Sequence, residues 1–177
     1  MKKFQFLLFD AGPIIKLFEL GIWDDFIKRC DVTIARTVAE KEVVFASRGD
    51  DKEYINFGLK PWEEKGLIKI IDVEPSAVKV FYEQSNLQGQ YDIHDGEMES
   101  LAFLCKCSED WKLCAADGAV FRVLGFSQRA DQGISLEEIL EKTGLSQSEL
   151  EWQYTKKFRE KWTHKGKVDF VQGQGPL

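Results

Sequence analysis

Short apolar runs alternate along this chain with longer amphipathic segments, and that alternation constrains the fold more than any other feature. "FQFLLF" (4–9) is apolar on both faces apart from Gln5, the pattern of a buried central strand. "DVTIA" (31–35), "GLIKIIDV" (66–73) and "WKLCAAD" (111–117) repeat the theme. Between them, "IIKLFELGIWDDFIKR" (14–29) predicts a helix broken at Gly21, and "TVAEKEVVFAS" (37–47) a helix with Thr37 near its N-cap. "EPSAVKVFYEQS" (74–85) predicts a third helix, with Pro75 suited to the first turn. "EMESLAFLCKC" (97–107) and the segment opening "GAVFRVLGF" (118–126) predict two more, and residues 48–66 read as charged and irregular. Strands alternating with helices predict an α/β fold, a parallel sheet covered on both faces. In such folds the functional site forms at the carboxyl ends of the strands.

A length of 177 residues suits one domain with a short appendage. The net charge of −6 argues against a general nucleic-acid coat and leaves room for a local basic patch. "MKKFQFLLF" imitates a signal peptide only briefly, because Asp10 ends its apolar run and no small-residue cleavage site follows. No stretch approaches the ~18 apolar residues of a membrane span, so a cytoplasmic protein with no membrane partner is expected. The four cysteines, Cys30, Cys105, Cys107 and Cys114, lack a usual zinc spacing and read as structural thiols of a reducing compartment.

The acidic residues carry the functional signal. Asp10 and Asp117 each close an apolar strand, Glu40 opens the helix after the second strand with Glu42 close by, and Glu97 and Glu99 open the helix after Gly96. In a doubly wound sheet these positions share one edge. Taken singly, each glutamate reads as a solvated surface residue and each aspartate as a helix N-cap. Taken together, carboxylates so gathered repel unless a cation holds them. All-oxygen ligands suit Mg2+ or Mn2+, which implies phosphodiester hydrolysis. Glu19, Asp24 and Asp25 lie inside the first helix and read as a solvated face.

"LLFDAGPIIKL" resembles the opening motif of PIN-domain proteins, "DGEMESLAFL" is similar to that family's Gly-Glu-x-Glu-Ala helix with Ser100 in place of the Ala, and "LCAADGAVFRVLGF" is similar to its late strand, Asp and Arg-containing helix. These motifs span residues 4–126 in order, and "SLEEIL" (135–140) reads as a further family-like helix. The resemblance implies a PIN-like three-layer α/β/α domain over residues 1–143 with a central parallel sheet, followed by a helical C-terminal extension over 144–177. It implies an endoribonuclease dependent on Mg2+ or Mn2+, often the toxin of a toxin–antitoxin pair, with RNA as substrate and an antitoxin and a second copy of the chain as partners. Asp10 falls on the family's first acid and Asp117 on its late acid. "TVAE" looks like the family's run into its second acid, which favours Glu40 over Glu42. Glu97 is the third acid by register, with Glu99 behind it, since residues two apart on a helix point to nearly opposite sides. Many relatives carry a second Asp where this chain has Gly118, and no family motif matches residues 48–64 or the chain beyond 145.

Two capping boxes, Ser135 with Glu138 and Ser146 with Glu149, predict a helical hairpin over 135–163 and then a mobile Gly-rich end. "EWQYTKKFREKWTHKGK" (151–167) holds six Lys/Arg against two Glu, a local +4. Tyr154, Phe158 and Trp162 form one helical stripe in it, either a nucleic-acid clamp or, the more usual use, a face packed on the domain or on a second subunit. Two rival functions follow. One is a non-catalytic PIN-like module binding RNA or protein. The other is a DNA-binding regulator using the hairpin as a helix-turn-helix, which the acidic "SELEWQ" argues against. An Asp-nucleophile phosphatase is disfavoured because "DAGP" lacks an Asp two residues after Asp10.

Overall fold

The computed structural model describes residues 3–43, 46–48, 53–55, 58–85, 93–107 and 110–173. The first apolar run forms β1 (Phe4–Phe9), which feeds α1 (Ala11–Glu19) and α2 (Trp23–Arg29), the two helices separating at Gly21. β2 (Cys30–Ala35) follows directly. After it the chain departs from the expected helix over 37–47. It makes only a π turn over Val38–Glu42 and then a hairpin, β3 (Ala46–Arg48) with β4 (Glu53–Ile55). α3 (Lys60–Glu64), β5 (Ile68–Ile71) and α4 (Pro75–Gln84) come next. Then follow α5 (Asp95–Lys106), β6 (Lys112–Cys114), α6 (Gly118–Phe126), β7 (Gly133–Ile134), α7 (Leu136–Thr143) and α8 (Lys156–Val171).

Five strands form one parallel sheet in the order β5-β2-β1-β6-β7. The chain winds outward from β1 through β2 to β5, then returns to the other side of β1 as β6. The winding direction therefore reverses between β1 and β6, and a crevice opens there beyond the carboxyl ends of both strands. Side-chain alternation along β1 divides the core. Leu7 and Phe9 join α1, α2 and α7 on one face, and Leu8 joins α4, α5 and α6 on the other. The result is an α/β fold with helices on both faces of a central parallel sheet.

The C-terminal segment shares this core. Ser135 caps α7 in a reciprocal box with Glu138, as its sequence predicts. Residues 146–151 make no second helix, however, so the predicted hairpin does not form. α7 ends in a tight turn at Gly144, with Leu145 N–H donating to the Leu140 carbonyl (2.8 Å), and the Gln147 side chain donates back to the Leu145 carbonyl. The helix starts nine residues later than its box suggested, capped by Thr155 instead of Ser146, with the Thr155 hydroxyl accepting the Phe158 N–H.

α8 then packs closely on α6. A Cβ added to Gly166 would stand 1.9 Å from the Arg122 carbonyl oxygen, and one on Gly125 2.1 Å from that of Thr163, so two bare backbones meet at this crossing. Arg122 pairs with buried Asp169, and Arg159 clasps Glu138 through two hydrogen bonds of 2.7 and 3.0 Å. Tyr154 and Phe158 are buried in the two halves of the core, Phe158 edge-on to Phe121. The stripe is thus a packing face. The expected mobile end beyond Gly173 lies outside the described residues. Among the described residues all four cysteines are free thiols, and no helix is long and apolar enough to cross a membrane.

Candidate acidic cleft

A cleft of about 870 Å³ opens at the point where the sheet's winding reverses. Asp10, Glu42, Glu97 and Asp117 line it together with Thr37, Lys41, His94, Gln153 and Tyr154. Each acid arrives by its own element. Asp10 follows β1, extends the β1–β6 pairing through its N–H to the Cys114 carbonyl (3.0 Å), and stands as N-cap of α1. Asp117 follows β6 and caps α6, accepting the Ala119 N–H at 2.6 Å. Glu97 sits in the first turn of α5 and accepts the His94 N–H at 3.0 Å. Glu42 reaches the same turn from the π turn and accepts the Gly96 N–H at 3.0 Å. A Cβ on Gly96 would lie 2.6 Å from that carboxylate, so the close approach requires glycine.

The structure does not bring the other two predicted acids to the cleft floor. Glu40 is exposed and pairs with Arg36 (2.8 Å), which also holds Asp72. The cause is the π turn. In an α-helix the residues three and four positions on share a face, whereas the wider π turn carries that face one residue further. Thr37, Lys41 and Glu42 consequently line the cleft while Glu40 turns away. Glu99 is half-buried behind the lining, accepting the Thr37 hydroxyl at 2.6 Å and, more weakly, its N–H. It thereby fixes the start of the π turn.

Two of the lining carboxyls are deeply placed. Asp10 is 6% exposed and Glu97 3%. Burial pushes the Asp10 carboxyl from 3.8 up to about 7, with the charges of Glu42 and Asp117 adding to the rise and the Ala11 N–H and His94 opposing it. Burial likewise pushes Glu97 from 4.5 up to about 8, with Asp10 the next contributor and the His94 N–H opposing. The Asp10 charge thus bears on Glu97, while Asp10 itself answers to Glu42 and Asp117.

The tail supplies a wall that sequence reasoning did not place. Lys16 of α1 reaches Glu151 (2.6 Å), and the Tyr154 hydroxyl donates weakly to the Gly12 carbonyl (3.4 Å). Gln153 and Tyr154 thereby stand along the cleft. Burial raises the Tyr154 phenol to about 12, so it stays protonated. On the far side the Trp162 ring lies over Gly118, where an added Cβ would come within 2.4 Å of it. That contact gives a physical reason for glycine directly after Asp117.

An all-carboxyl donor set fits a hard divalent cation such as Mg2+ or Mn2+ in chemistry. Among the described residues, no group of three or more His, Cys, Asp or Glu stands gathered on one point to hold an ion. The carboxyls instead stand separately: Glu42, Glu97 and Asp117 each accept a backbone N–H where a helix opens, and Asp10 makes no side-chain cap bond. The chain matches no family model, no curated protein and no solved structure.

Proposed function

We propose that the chain is a metal-dependent endoribonuclease with Asp10, Glu42, Glu97 and Asp117 as its centre. The observation that carries this is the burial of Asp10 and Glu97, each within reach of the charges of Glu42 and Asp117. A purely structural site has little reason to keep such a cluster, because each buried carboxyl disfavours ionisation of the next. A divalent cation, when bound, offsets that repulsion, orients a water and stabilises negative charge building on a phosphate. Asp10 and Asp117 would hold it from the two sides of the crevice, with Glu97 and Glu42 completing the oxygen donors from α5 and the π turn. Asp10 and Glu97 exchange protons near neutral pH, so each must give up its proton before it can serve as a ligand. Thr37, tied to Glu99, keeps Glu42 in place. The choice of RNA, and of a toxin-like role, rests on the resemblance of the three motifs to PIN-domain proteins.

A second reading has one observation in its favour: Glu42, Glu97 and Asp117 each already accept a backbone N–H. On that reading the acids cap helices, and the domain is a non-catalytic module binding RNA or protein. The helix-turn-helix alternative loses its second helix, since residues 146–151 are irregular.

Cleavage of a mixed RNA pool with Mn2+ or Mg2+ separates the first two, run beside Asp10→Asn and an EDTA control. Cutting by wild type alone supports the nuclease. Equal inertness of wild type and variant, with no metal binding seen by calorimetry, would leave the capping module.

A further inference from the structure

A nuclease built on this cleft has an electrostatic difficulty. Its floor is four carboxylates on a chain of net charge −6, and its substrate is a polyanion. The structure places a remedy beside it.

Of the cations in the tail, Arg159 is taken up by Glu138, and Lys156 lies 3.8 Å from Glu160. Lys161 and Lys165 are exposed and have no acidic partner among the described residues. Their ammonium groups lie 5.5 and 5.1 Å from the centre of the Trp162 ring. That ring is itself fixed against Gly118, the residue after Asp117. One turn apart on α8, the two lysines therefore share a face and converge on a single aromatic anchor. The anchor seats the cation pair beside Gly118, one residue along the chain from cleft-lining Asp117. The indole Nε1 is buried against α6, so the ring serves as an anchor and is not presented for stacking on bases. What remains accessible is charge, which reads phosphates and not base edges.

We propose that Lys161 and Lys165 form a phosphate-docking lip that receives the backbone of single-stranded RNA next to Asp117, with little preference for sequence. This rests on the nuclease function proposed above, since it is the acidic cleft that gives the lip its purpose. The lip positions substrate and takes no part in the chemistry.

The test uses the full chain and a fluorescein-labelled oligouridine. Its anisotropy is followed in EDTA across a salt series for wild type, Lys161→Ala/Lys165→Ala, and a charge-matched control, Lys65→Ala/Lys69→Ala, at exposed positions by the β5 edge. Circular dichroism and urea midpoints check that all three are folded. The lip variant should bind about tenfold or more weakly, and its slope of log K against log salt should be shallower by about 1.4, two phosphate contacts at about 0.7 each on a single strand. The control should stay within about twofold of wild type. Equal losses in both variants, no loss in either, or no binding by wild type would overturn the lip. Cleavage in Mn2+ keeps the two ideas separable. Wild type that binds through the lip yet never cuts leaves the lip standing and removes the nuclease. Wild type that cuts, beside a lip variant that binds and cuts equally well, does the reverse.

Discussion

Replacing Asp10 by Asn should make the metal-free protein more stable at neutral and alkaline pH, although Asp10 is the centrepiece of the proposed site. The reasoning is linkage. The carboxyl titrates near its ordinary 3.8 when unfolded and at about 7 when folded. Below about pH 4 it is protonated in both states and costs nothing. Between about 4 and 7 the unfolded chain releases the proton while the folded chain keeps it. Folding stability then falls by up to about 1.4 kcal/mol per pH unit, and the loss levels off above pH 7. Over that interval the loss comes to about 4 kcal/mol, an order-of-magnitude figure, from this one buried group. Asn has nearly the same shape and no proton to lose, so the variant should escape that decline. Glu97 adds a decline of the same sign from about 4.5 to about 8, softened in the variant because the Asp10 charge is gone. Urea unfolding in EDTA at pH 5, 6, 7 and 8 measures this directly. Wild-type stability should drop steadily over the range, and the gap to Asp10→Asn should widen with pH. Parallel curves for the two proteins would refute the argument, and with it the idea that this carboxylate is held against its own charge. Adding Mn2+ should then restore wild type and leave the variant nearly unmoved.

Three further outcomes follow from geometry. Gly166→Ala forces a methyl onto the Arg122 carbonyl and should cost about 1–3 kcal/mol in urea unfolding, since that contact is backbone and cannot rotate away. Glu42→Gln should lower metal-dependent cleavage by an order of magnitude or more, whereas Glu40→Gln, at an exposed ion pair, should stay within about twofold of wild type; the opposite ranking would overturn the role given to the π turn. Gly118→Asp should destabilise the fold through the Trp162 ring, and Trp162→Ala in the same chain should recover part of that loss, a coupling that a double-mutant cycle of unfolding free energies reads out.

Much of the sheet was legible because β1, β2 and β5 are short, mostly apolar runs and Gly21 and Pro75 punctuate their helices. Asp10, Glu97 and Asp117 were legible for a related reason. A carboxylate at the end of a buried strand, or in the turn that opens a buried helix, has its position set by the chain itself. Glu42 was not, because only the folded π turn decides which of Glu40 and Glu42 faces inward. The two-residue β7 is too short to leave a pattern, and its pairing with β6 arises only once α6 has turned the chain back. The start of α8 was misplaced because Ser146 and Glu149 spell a capping box as well as any real one. What silences it is the tight turn at Gly144, which directs Leu145 and Leu150 onto the core beneath α1.

Because Gln153 and Tyr154 border the cleft while its acids all lie before residue 118, the site is assembled in two instalments during synthesis. The sheet edge that carries the carboxylates leaves the ribosome first, with Gly12 and Gly118 still uncovered. Only when α8 docks on α6 does the groove gain its second wall and, on the proposal above, its landing point for substrate. On the proposals above, a growing chain would gain its full grip on RNA only once α8 has docked, a timing that follows from the position of one helix in the order of translation.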